Sequence, residues 1–178
     1  MDPAIDLTVR AVLALLFLGA ASHKVGDLAR FRASVAAYRV LPPVLVSPTA
    51  LLLVGAELTV AGALALPFTR AAGLAGAAAL LVVYAAAVGV NLARGRWDLD
   101  CGCTGPAARR PISGWLVGRN AILAAFAIAG LAPVRPRPLG WVDAVTVVAA
   151  VATLAALHLA VDHLLAHEPA IARLRGAA

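Results

Sequence analysis

Charge is what this chain has least of. Asp, Glu, Lys and Arg together make up 13% of its 178 residues, against roughly 25% in a soluble globular domain. With 62% hydrophobic residues and a mean hydropathy of +0.92, an ordinary soluble domain is excluded. The length suits a bundle of four to six membrane spans. Lysine is nearly missing: fourteen of the fifteen basic residues are Arg, and Lys24 stands alone. With the heavy Ala content, this reads as compositional bias. Cysteine is scarce too, at two residues, too few for a disulfide framework. No basic n-region precedes the first apolar run, which instead follows Asp2 and Asp6, and no small-residue cleavage site stands out. The first segment is therefore expected to stay in the membrane. The net charge of +6 sits in short connections rather than on one polar face. That fits membrane orientation and anionic lipid, not nucleic acid.

Five stretches reach the roughly 30 Å needed to cross hydrocarbon at about 1.5 Å per residue: residues 5–22, 48–68, 71–92, 113–132 and 140–164. Pro67 and Thr69-Arg70 separate the second from the third, and "PVRPRP" separates the fourth from the fifth. Within the connection 23–47, Val25, Leu28, Phe31, Val35 and Tyr38 recur at helical spacing among Asp27, Arg30, Arg32, Ser34 and Arg39. This predicts an amphipathic helix in the interface, ended by "LPP", that anchors the bundle and covers the loop before the fourth span. The expected fold is all-α: a polytopic bundle of four core transmembrane helices (residues 1–135) with an additional C-terminal span and polar tail (136–178).

Five spans place connections 1–2 and 3–4 on one side of the membrane. The first carries His23 and Lys24; the second carries Asn91, Asp98, Asp100, Cys101 and Cys103. Glu57 lies roughly 14 Å into the second span from that side, and Arg119 and Asn120 roughly 10 Å into the fourth. Each charge alone would cost about 2.5–3.5 kcal/mol in lipid, so Glu57 and Arg119 are expected to pair, either as a staple or as part of a cavity wall. Arg10, toward the other face, is expected to snorkel. His158, Asp162, His163 and His167 form i, i+4 pairs that suit an interfacial helix end better than a site.

The stretch "GRWDLDCGCTGPAARRP" holds both cysteines, with only Gly102 between them. A C-x-C disulfide closes a small ring, and strained, exposed disulfides exchange readily. The thiolate is the reactive form, favoured by positive neighbours. Lys24, Arg96, Arg109 and Arg110 would favour it, and Asp98 and Asp100 would oppose it unless Asp100 accepts a thiol proton. The same sulfurs suit a soft ion such as Cu(I), with His23 as a third ligand; zinc lacks its four ligands. A redox pair ranks first, with a metal clamp and a structural role level behind it.

These residues resemble the MauE branch of the MauE/DoxX-like membrane proteins. The likeness runs from about residue 10 to 130 through "ASHKVGDLARF", "VAAYRVLP", Glu57, "NLARGRWDLDCGCTG" and "ISGWLVGRNAIL". Cys-Gly-Cys followed by the Arg119-Asn120 pair is its most specific part. The resemblance implies a multi-pass accessory protein for methylamine dehydrogenase, needed to mature its disulfide-rich small subunit alongside a thioredoxin-like partner. The matching residues are His23, Lys24, Tyr38, Glu57, Asn91, Cys101, Cys103, Arg119 and Asn120; Thr104 departs from an aromatic common in the family.

The expected function is therefore thiol–disulfide exchange in a plasma or inner membrane, with Cys101 and Cys103 cycling. Lys24, His23 and Asp100 would tune thiolate or move protons, while Glu57, Arg119, Asn120, Asn91 and Tyr38 shape the cavity. No residue requires a cofactor, though a quinone is a compatible acceptor. The rivals are a copper or mercury transporter or chaperone and a non-catalytic assembly factor. Ten basic residues flank the Cys side against three opposite, which predicts a cytoplasmic loop; maturation of exported disulfides favours an external one. By the charge count, a membrane-impermeant maleimide labels the two thiols only after lysis. Reduction-dependent labelling of intact cells would instead reveal an external disulfide.

Overall fold

The computed structural model describes residues 1–100 and 111–175, with side chains through Val161. Six α-helices make up this part: α1 (Pro3–Gly26), α2 (Leu28–Ala37), α3 (Pro43–Ala65), α4 (Arg70–Ala93), α5 (Gly114–Ala129) and α6 (Trp141–Arg175). A 3₁₀ turn, Pro67–Thr69, joins α3 to α4. No strand occurs among the described residues; Asp100 and Pro111 form an isolated antiparallel bridge. The protein is an all-α, multi-pass membrane bundle.

Local chemistry explains the boundaries. Asp2 caps α1 by accepting from the Ala4 amide at 2.8 Å, with Pro3 in the first turn where its missing N–H costs nothing. Asp27 ends α1 and caps α2, accepting from the Arg30 amide at 2.9 Å. The expected amphipathic helix is thus α2. Its Leu28, Phe31 and Val35 pack against Ala50 and Val54 of α3. At the end of α4, Gly95 adopts φ +72°, and the amides of Gly95 and Arg96 turn back to the carbonyls of Leu92 and Asn91. That is a Schellman stop, which needs a residue without a left-handed penalty.

Four helical segments are long and apolar enough to cross a bilayer: Pro3–Gly26, Pro43–Ala65, Pro67–Ala93 and Trp141–Val161. α3 begins five residues before its expected start, because Pro43 takes the first-turn position and Pro48 is carried inside the helix. α5 has 16 residues, about 24 Å at helical rise, shorter than the stretch read from sequence. It still runs the length of the bundle antiparallel to α4. Leu116 packs near Val88 at one end, and the Gly130 carbonyl accepts from Arg70 at the other. α6 meets the bundle through α1 and buries none of its apolar window, so its other faces are left to lipid.

The core lies between α1, α3, α4 and α5, built from Leu13, Phe17, Ala61, Leu64, Leu74, Leu81 and Ala127 with their neighbours. The buried face of α1 reads Asp6, Arg10, Leu13, Phe17, Ala21, Lys24, a repeat of three and four residues with charge at both ends and apolar contact between. At the first end Arg10 does not snorkel. It is 6% exposed, and its Nε donates to the Leu64 carbonyl at 2.8 Å. The last carbonyls of α3 have no intrahelical donor, and Arg10 supplies one. Asp6 lies between Arg10, at 3.4 Å, and Arg70, at 2.6 Å. Arg70 also donates to the carbonyls of Gly130 and Ala132 beyond α5. Arg70 and Arg10 thereby serve helix C-termini, where a cation is favoured.

α3 and α4 approach closely at Gly73. A Cβ there would meet the Leu64 nitrogen at 2.8 Å and the Ala63 carbonyl carbon at 2.9 Å, whereas one at Gly89 would meet nothing within 4 Å. Close backbone approach through small residues is the usual way helices associate in lipid. Gly73→Ala is expected to destabilise the detergent-solubilised protein by about 1–3 kcal/mol in thermal unfolding, since backbone cannot step aside. Gly89→Ala is expected to be neutral or slightly stabilising; equal effects would show that the close approach carries no energy.

Candidate functional site

Lys24 is placed by the stripe that also places Leu13 and Phe17. α1 continues to Gly26, so Lys24 remains helical and turns toward α3. There its Nζ makes an ion pair with Glu57 Oε1. Tyr84 of α4 donates its hydroxyl to the same oxygen at 2.7 Å and lies 3.4 Å from Lys24 Nζ. Lys24 is 3% exposed and Glu57 fully buried. The ammonium also sits 4.9 Å from the ring centroids of both Phe31 and Tyr84, within reach of a cation–π attraction. Three transmembrane helices and α2 thus meet at one charge. Among the described residues, Glu57 Oε2 is buried with no hydrogen-bond partner, so both donors serve one carboxylate oxygen.

Glu57 therefore pairs with Lys24, not with Arg119. Depth along the chain allowed either partner, but α3 packs on α1 and α4 while α5 packs chiefly on α4. Arg119 is half-buried on α5 and makes other contacts. His23 precedes Lys24 but faces outward, exposed, so it does not join the cluster. Asn120 is buried on α5. Of the C-terminal polar residues, His158 is half-buried. The side chains of Asp162, His163 and His167 lie outside the described residues.

A second polar layer lies nearer the end of the bundle. Asn91 is fully buried; its Nδ2 donates to the Ala87 carbonyl at 3.0 Å and its Oδ1 accepts from Arg96 at 2.9 Å. Arg96 also donates to the carbonyls of Ala37, at 2.7 Å, and Tyr38, at 3.2 Å. A cation at these last carbonyls of α2 is favoured by the helix dipole. Tyr38 packs with Val88, Ile112 and Leu116. Arg30 of α2 pairs with Asp100 at 2.8 Å. The Ile112 amide donates to the Leu99 carbonyl at 2.9 Å, and with the Asp100–Pro111 bridge it clasps the two flanks of segment 101–110. Cys101 and Cys103 themselves lie outside the described residues.

Tyr84 and Arg30 escaped the sequence reading. A tyrosine within "LLVVYAAAVG" is a usable signal, since a buried hydroxyl needs a partner. Arg30 read only as the polar side of an amphipathic helix.

Removing one member of a buried ion pair strands the other, at about 3–5 kcal/mol. Lys24→Met and Glu57→Gln are each expected to lose about that much in denaturant unfolding, while the Lys24→Met/Glu57→Met double variant regains most of it. Strictly additive losses would dissolve the pair as an energetic unit.

The family model described as methylamine utilisation protein MauE matches residues 2–133. A protein named methylamine utilization protein MauE from Methylorubrum extorquens is 40% identical over 137 residues, 76% of this chain and 74% of that one. One of the same name from Paracoccus denitrificans is 41% identical over 130 residues, covering 72% and 69%. Another from Paracoccus versutus is 37% identical over 180 residues, covering 98% and 96%. No solved structure matches. The likeness extends over the helices that carry Lys24, Glu57 and Tyr84 and over the Cys-Gly-Cys segment, and the chain belongs to the MauE family of membrane proteins.

Proposed function

We propose that this chain is an accessory protein of methylamine utilisation, in the plasma or inner membrane, that exchanges electrons between the Cys101–Cys103 pair and a thioredoxin-like partner. The relatives' names support the pathway. The observation that carries the chemistry is the clasped base of the Cys segment, Asp100 to Pro111 and Leu99 to Ile112. It stands at the end of the bundle where Arg30, Arg96 and Asn91 converge. A rigid polar base is what an exchange-active thiol pair needs in order to meet a second protein repeatedly in the same orientation.

The exchange balances as follows. A thiolate from the pair attacks the partner's disulfide, forming a mixed disulfide and releasing a partner thiolate that takes up a proton. The second thiolate of the pair then displaces the partner's remaining sulfur. This chain leaves as a disulfide and the partner as a dithiol, with two electrons and two protons transferred; the reverse sequence regenerates the start. Run in reverse, a reduced partner leaves this chain as the dithiol, and a quinone, were one bound, would take those two electrons and two protons from it and restore the disulfide. Asp100, adjacent to Cys101 and paired with Arg30, sets the electrostatic surroundings, whereas Lys24 is neutralised by Glu57; His23, exposed beside Lys24, offers a surface route for protons.

Cys101→Ser and Cys103→Ser are each expected to insert normally yet lose exchange with a thioredoxin-like protein, followed by alkylation trapping of mixed disulfides. Retained exchange in both single variants would end the mechanism. Stoichiometric Cu(I) binding without a disulfide state would replace it with metal handling.

A further inference from the structure

Where α2 stops, the backbone takes a conformation that its residue disfavours. Tyr38 is the last position with helical geometry, and Arg39 follows it at φ +48°. Glycine is the usual occupant of a left-handed position after a helix, because a Cβ there crowds the next carbonyl. An arginine in that conformation persists only where its surroundings over-determine it. Here they do. The consecutive carbonyls of Ala37, Tyr38 and Arg39 are all taken by two guanidiniums from the end of α4: Arg96 at 2.7 and 3.2 Å, and Arg94 at 3.3 Å. Arg39 itself is exposed and makes no ion pair among the described residues; Arg94 is exposed too and meets no carboxylate among them.

Apolar side chains stand beside these two charges. The grip of Arg96 on α2 brings Trp97 to the same turn, and Trp97 is 56% exposed. Val40 and Val44, on either side of Pro42-Pro43, are 48% and 79% exposed. Pro43 opens α3 and Ala93 closes α4, both long and apolar enough to cross a bilayer. This lip therefore stands at headgroup height, where tryptophan is favoured and cations face the phosphates. Other charges at this end have their own partners: Lys24 holds Glu57, Arg30 holds Asp100 and Asp27 caps α2. Asp98, exposed beside Trp97, opposes an anion, but two guanidiniums outweigh one carboxylate.

We propose that Arg39 and Arg94, with Trp97, Val40 and Val44, form a docking site for an anionic phospholipid at the Cys end of the bundle. The guanidiniums take phosphate oxygens, Trp97 lies at the level of the glycerol, and the valines meet the start of the acyl chains. A glycine at position 39 would serve the turn better and leave the phosphate unbound. The site depends on neither the cysteines nor a soluble partner, so it stands apart from the thiol–disulfide reading.

The test uses full-length protein carrying Trp115→Phe and Trp141→Phe, so that Trp97 alone emits. It is reconstituted in mixed phosphatidylcholine and phosphatidylglycerol vesicles, and quenching by brominated chains on one lipid or the other gives their relative affinity at Trp97. The parent is expected to prefer phosphatidylglycerol. Arg39→Gly and Arg94→Gln should each cut that preference by about fivefold, the worth of one basic residue at a charged membrane surface. Asp98→Asn should raise it, and Arg135→Gln, at the opposite end of the bundle, should leave it unchanged. In thermal unfolding in neutral detergent, Arg39→Gly should match or exceed the parent, because glycine suits φ +48°; loss of preference is then not loss of fold. Unchanged preference or lower stability in Arg39→Gly, or an equal loss in Arg135→Gln, overturns the proposal. So does abolition of the preference by inorganic phosphate at matched ionic strength, which would show an anion site with no tie to the bilayer. Protection of Trp97 from quenching by an acidic soluble protein, lost in Arg39→Gly, would make the lip a protein dock and overturn it too. Should Arg94→Gln fail to fold, Arg39→Gly and Asp98→Asn decide, since they must move the preference in opposite directions.

Discussion

A single ammonium buried in an apolar bundle sets the terms for everything around it. Lys24 is helical, inward-facing and almost wholly desolvated, a state that lipid and protein interiors both oppose. It persists because a carboxylate, a hydroxyl and two aromatic faces converge on it from three other helices. Each of those groups must arrive at the same height. The requirement therefore fixes the register of α3 and α4 against α1, and the position of α2 across the end. In a medium where apolar contact between helices brings little net advantage over contact with lipid, a polar convergence of this kind specifies arrangement more sharply than packing does.

The opposite end follows the same logic with different partners. Asp6, Arg10 and Arg70 form a linked set that also serves carbonyls of Leu64, Gly130 and Ala132. Two ionic clusters thus bracket the α1 stripe, and between them Leu13, Phe17 and Ala21 are buried apolar contacts. The two ends differ in what they hold. One joins helix termini to each other; the other joins them to the flanks of the Cys-Gly-Cys segment.

α2 links these layers. One face packs on α3, Phe31 covers the buried ammonium, its last carbonyls bind Arg96, and Arg30 reaches Asp100. A short amphipathic helix would be marginal in isolation. Here its order comes from these contacts, which couple the membrane-embedded cluster to the residue that precedes Cys101.

Much of this was legible in the residues alone. Scarce charge and long apolar runs determined a multi-pass helical bundle, because an unpaired backbone cannot cross lipid in any open form. The spacing of Leu28, Phe31 and Val35 determined an amphipathic α2, and the two membrane crossings expected between the first and third connections gathered Lys24, Asn91 and Asp100 at one end. Sequence supplies a residue's height along its helix, and by height Glu57 suited Arg119 as well as Lys24. Only the tertiary structure decided between them, and turned Arg10 inward, because partner choice depends on which helices are neighbours and how each is rotated. Those two quantities come from packing between distant segments, through close approaches such as Gly73 on Leu64, and no local pattern encodes them.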